Sequence, residues 1–127
     1  MKRLLLLALL ALSVTTLTRA ATRLELGLWM RAIDAKTVSV QKHLAAGRQD
    51  DAIADAQALQ KLYADMAIYF ERDYPAADAV GFSRDGEKWA AAIPGHVANG
   101  DLTAATQAAR AISLACNDCH DPYKPLP

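Results

Sequence analysis

Leu26, Met30, Ile33, Thr37, Val40 and Leu44 recur at alternating spacings of four and three residues. That is the helical period, and it gathers the six side chains onto one continuous, mostly apolar face that has to be covered by other elements. The stripe predicts a helix over residues 22–46, stopped by Gly47. A second helix is expected over 50–72, with Asp50 as its cap. It carries Ile53, Leu59, Leu62, Met66, Tyr69 and Phe70 and breaks at Tyr74-Pro75. A third is expected over 86–98, with Trp89 and Ile93, kinked or split by Pro94-Gly95 and ended by Asn99-Gly100. The fourth starts at Asp101, a good N-cap, carries Leu102, Ala105, Ala109, Ile112 and Cys116, and should end at Pro122. Residues 73–85, with Pro75, Gly81 and Phe82, read as a loop that is long for a bundle connection. Ala, Leu, Gln and charged residues dominate, and β-branched residues never cluster into alternating strand runs. The expected fold is therefore all-α, an antiparallel four-helix bundle, an architecture that houses cofactors between facing helices.

The first 20 residues read differently. Lys2 and Arg3 precede an almost unbroken Leu/Ala run over residues 4–12, and Thr18-Arg19-Ala20 offers small residues before a cut. This is the pattern of a secretory signal peptide cleaved after Ala20. The apolar run is shorter than the ~20 residues of a spanning helix, so no stable membrane insertion is expected after cleavage. Residues 21–127 then form a mature chain of 107 residues, enough for one domain with a modest core. Loss of Lys2, Arg3 and Arg19 leaves 11 of the 14 basic side chains against 14 acidic ones, a formal charge of −3. Without a basic stripe to release counterions, nucleic acid is not an expected partner.

Near the other end stands Cys116-Asn117-Asp118-Cys119-His120, a C-x-x-C-H motif with the spacing of c-type haem attachment. Two thiols must reach the two haem vinyl groups to form thioethers, and the adjacent imidazole must meet the iron axially from the same side. On a helix Cys116, Cys119 and His120 fall at i, i+3 and i+4 and share one face. A zinc site would need two more ligands, and no further Cys exists to supply one. A redox dithiol is expected after a strand in a βαβ context, which the pattern lacks. One covalently bound haem c on the last helix is the expected cofactor, with Cys116 and Cys119 as its thioether anchors and His120 as the proximal iron ligand. Export supports this, because covalent haem attachment takes place outside the cytoplasm; the expected compartment is the bacterial periplasm.

A helical bundle of this size with C-x-x-C-H in its final helix resembles the class II c-type cytochromes, cytochrome c prime and its low-spin relatives. The segment His120-Asp121-Pro122-Tyr123-Lys124 is similar to the C-x-x-C-H-x-x-Y-[RK] ending common in that family. The resemblance spans essentially the whole mature chain. In cytochrome c prime proper a bulky apolar residue on the first helix covers the distal side and leaves five-coordinate iron that binds small gases. In the low-spin relatives a Met followed by a basic residue, early in that helix, ligates iron. Met30-Arg31 matches that pattern, so the resemblance implies Met30 as distal ligand. Met66 is the back-up; a Met on an apolar stripe is otherwise a routine core residue. His43 and His96 are further alternatives. Trp29 and Trp89 could line a haem edge or serve as core, and Arg31 or Lys124 could pair with a haem propionate.

The resemblance thus implies a one-electron carrier between periplasmic redox proteins, not an enzyme. Five-coordinate binding of NO or CO, with Met30 as a steric lid, is the alternative. The family often pairs through its first two helices, so a homodimer is a possible assembly. No Ser/His/Asp constellation, phosphate loop or distal His and Arg pair points to catalysis.

Overall fold

The computed structural model describes residues 20–123. Four helices follow one another: α1 (Arg23–Ala45), α2 (Gln49–Ile68), α3 (Ala77–Ala98) and α4 (Leu102–Tyr123). A π-helical turn, Tyr69–Asp73, continues α2. Consecutive helices pack against each other and α4 returns to α1, which closes the ring around one core. Among the described residues there is no strand, and no helix is long and apolar enough to cross a membrane. The proposed signal segment lies, apart from Ala20, outside the described residues.

Local chemistry sets the helix ends. Thr22 caps α1 through a reciprocal capping box: its Oγ1 accepts from the Glu25 N–H at 3.2 Å, and its own N–H donates to Glu25 Oε2 at 2.7 Å. At the other end the Arg48 N–H reaches the His43 carbonyl at 2.9 Å and the Gly47 N–H reaches that of Leu44 at 3.2 Å. This double bond pattern requires a left-handed residue, supplied by Gly47 at φ +70°. Asn99-Gly100 repeats the device after α3, with Gly100 at φ +73°. Asp101 caps α4 as expected, its Oδ1 accepting from the Ala104 N–H at 2.9 Å.

The stripe of α1 packs inward: Ile33, Thr37, Val40 and Leu44 are buried, while Leu26 and Met30 are half-buried against the core. From α2 come Leu59, Met66, Tyr69 and Phe70, and from α4 Ala105, Ala109 and Ile112. Ala52 and Ala56 on α2 are also fully buried, and such small side chains let neighbouring backbones approach closely.

Three expectations about the elements need correction. Asp50 is not a cap; α2 begins at Gln49, with Arg48 before it, and Asp50 lies in the first turn, where a carboxylate favours the positive end of the helix dipole. The long loop is a helix, because α3 begins at Ala77, nine residues before the expected start, and only residues 74–76 separate it from the π-turn. Its buried face is Ala79, Ser83, Gly86, Ala90, Ile93 and Val97, again spaced by four and three. The first half of that stripe is built from small residues, which carry too little apolar signal to be read as a helix face. Ser83 satisfies its hydroxyl within the helix by donating to the Ala79 carbonyl at 2.7 Å. Finally, Pro122 does not end α4, which runs on to Tyr123; Pro94, expected to kink or split α3, lies inside a helix that continues to Ala98. Proline's fixed φ is itself helical; what it removes is one N–H donor, a loss a packed helix tolerates.

Candidate functional site

One end of the bundle holds a cavity of about 160 Å³, partly open to solvent, to which all four helices contribute. Helix α4 supplies Cys116, Cys119 and His120 of the C-x-x-C-H sequence, together with Ala115 and Asn117. Helix α1 supplies Met30, Ile33 and Asp34; α2 supplies Tyr63 and Met66; α3 supplies Phe82. Met30, 86 residues before Cys116 in the chain, therefore lines the same space as the motif. Helical spacing on α1 explains the neighbours: Ile33 and Asp34 stand three and four residues after Met30 and so share its side of the helix.

The two thiols are inequivalent. Cys119 is buried, and burial pushes its thiol above the usual range, helped by the nearby Cys116 and by the negative charge of Asp78. Cys116 is half-buried and lies 3.6 Å from the Tyr63 hydroxyl. Both are free thiols. His120 is exposed at the cavity mouth. The Tyr63 phenol is held far above its ordinary value by burial first and then by Cys116, so it stays protonated and able to donate. Its ring rests against Gly86 of α3: a Cβ at that position would stand 2.6 Å from the ring's Cζ, well inside contact distance.

The other candidates lie elsewhere. His43 faces Asp55, its Nδ1 2.9 Å from Oδ2. Neither His43 nor His96 lines the cavity. Trp29 packs edge-on to Tyr69 at 6.4 Å between ring centres, and Trp89 is 40% exposed with the Lys88 ammonium 5.9 Å from its ring. Neither Trp lines the cavity, and Trp89 is not core. Arg31 is exposed, and Lys124 lies outside the described residues.

Comparison with protein-family models, with curated proteins and with solved structures finds nothing that matches this chain.

Tyr63, Phe82 and Asp34 are site residues that sequence reading did not single out. Tyr63 was detectable in principle, three residues before Met66 on the same face of α2. Phe82 was hidden by the unrecognised start of α3, and nothing in the chain distinguishes Asp34 from other surface acids. Among the described residues, no group of three or more His, Cys, Asp or Glu side chains is arranged to hold a metal ion. What the cavity offers is two thiols and an imidazole on one wall, and two thioethers, a phenol and aliphatic or aromatic surface on the others. That donor set suits a flat apolar cofactor anchored by sulfur. At about 160 Å³ the space is below the ~300–1,000 Å³ of ordinary ligand pockets, so such a cofactor must widen it from the open side.

Proposed function

We propose that this chain is a periplasmic monohaem c-type cytochrome of the class II kind, an antiparallel bundle that carries one electron at a time between redox proteins. The observation that supports the reading most is the cavity shared by Met30 and the Cys116-x-x-Cys119-His120 turn. Haem bound there supplies the Fe(III)/Fe(II) couple. The protein's part is to hold it: Cys116 and Cys119 through thioethers, His120 through its imidazole, and Met30 through a soft sulfur that favours ferrous iron and raises the potential relative to two histidines. Ile33, Met66 and Phe82 give the cavity its apolar surface. With haem held there, a partner would need only a small, brief encounter at the open side of the cavity.

Absorption spectroscopy tests the reading. Haem purified with the protein should resist organic extraction and give a sharp, split low-spin spectrum when reduced, indifferent to carbon monoxide. Met30→Ala should convert that spectrum to a high-spin one that shifts with carbon monoxide, while Met66→Ala should leave it low-spin. The reverse pattern would make Met66 the ligand. A parent protein that is already high-spin and binds carbon monoxide would instead identify a gas-binding protein with Met30 as a lid, and a protein that takes up no haem would sink both.

A further inference from the structure

Gly86, Tyr63 and Cys116 form a contact relay across three helices, from α3 through α2 to α4. Tyr63 is a large residue with a buried hydroxyl, and a bundle core ordinarily has no room for its ring where another helix crosses. Here the crossing residue is Gly86, and any side chain there would collide with the Cε1, Cδ1 and Cζ atoms of the ring. The ring consequently lies in the notch, and its hydroxyl projects to the cavity wall, 3.6 Å from Cys116 Sγ. Apart from that sulfur, the described side chains give the hydroxyl no hydrogen-bond partner. A buried hydroxyl is costly unless it is partnered, so the pair is a specific arrangement of the site and not incidental packing.

We propose that Tyr63 is a positioning residue for haem attachment: it holds Cys116 Sγ at the cavity wall and keeps its own proton while giving a hydrogen bond to that sulfur as the thioether forms. The step concerned adds the thiol across a vinyl group. Cys116 Sγ bonds to one vinyl carbon, the thiol proton ends on the other, the carbon–carbon π-bond is consumed, and no electron enters or leaves. Negative charge accumulates on sulfur before the bond forms, and a protonated phenol at hydrogen-bond distance stabilises it. Cys119, buried and without such a partner among the described side chains, has no equivalent help. Attachment through Cys116 is thereby favoured to come first.

The inference rests on the haem reading, but its test does not. The full chain, produced without haem-attachment machinery and kept reduced, is treated at pH 8 with 4-vinylpyridine, which makes the same sulfur–carbon bond, and alkylation at each Cys is followed by peptide mass. Cys116 should react faster than Cys119. Tyr63→Phe, which keeps the ring in its notch and changes only the hydroxyl, should slow Cys116 by about tenfold, the factor expected from losing a hydrogen bond to a charged group. It should leave the Cys119 rate and the helical circular dichroism unchanged. An unchanged Cys116 rate, or equal slowing at both thiols, overturns the proposal. In cells that attach haem, Tyr63→Phe should accumulate protein joined by Cys119 alone, with Cys116 free to alkylation. If the parent takes up no haem, the functional reading fails while the thiol rates still decide the role of Tyr63.

Discussion

Asp55 shows how a single side chain off the apolar pattern ties two helices together. It is 4% exposed on α2, yet its carboxylate receives Lys36 Nζ and Ser39 Oγ, each at 2.6 Å, and stands 2.9 Å from His43 Nδ1. Lys36, Ser39 and His43 come from one side of α1, at spacings of three and four. Burial alone would raise the carboxyl, but hydrogen bonds from Lys36 and Ser39, with the attraction of Lys36 and His43, outweigh it and hold the group below its ordinary value of 3.8. A depressed folded-state pKa stabilises the protein above the unfolded value and ceases to as pH falls through the folded one. Asp55→Asn should therefore cost about 2 kcal/mol at pH 7, read as a lower urea midpoint. The gap between parent and variant should close as the titration is carried to acid, below 3.8. A gap independent of pH would mean that shape and not charge secures the contact.

At the scale of the element, α3 departs furthest from expectation. Its inward face follows the same four–three spacing as α1, but Ala79, Ser83 and Gly86 replace the branched aliphatics. Small residues bury little area themselves; their effect is to let α2 and α4 approach, and at Gly86 to admit the ring of Tyr63. Further along, Pro94 sits inside the helix, where it deletes the hydrogen bond that the Ala90 carbonyl would accept. Ile93 beside it is fully buried, as is Ala90, so packing holds the helix through the defect. Pro94→Ala should restore the hydrogen bond and stabilise the protein by about 1–3 kcal/mol, seen as a rise in thermal midpoint. Destabilisation instead would show that the proline ring's own packing matters more than the missing hydrogen bond.

The described residues form a ring of four helices around one core, with a cavity between Met30, Tyr63, Phe82 and the Cys116–His120 turn. A cavity whose lining lacks contact partners lowers stability, and a ligand bound only by the folded chain restores it. Haem-loaded protein should accordingly melt well above the Cys116→Ser/Cys119→Ser variant, which retains the helices but offers no thioether anchor; equal midpoints would argue that the cavity is not a haem site. Much of this arrangement was legible in the chain itself: the stripe of α1, the glycine stops at Gly47 and Gly100, the Asp101 cap, and the thiols and imidazole grouped on one helical turn. These are local, set by backbone sterics, cap hydrogen bonds and a 3.6-residue period that depends on near neighbours in sequence. Three-dimensional packing decided the rest. It turned residues 77–85 into helix, because small side chains acquire meaning only against the ring or backbone they accommodate. It also brought Met30, Met66, Tyr63 and Phe82 to the thiols, a convergence of residues up to 86 positions from the motif. No periodicity in a sequence encodes such contacts, since distant residues meet only when several buried faces have to be satisfied at once.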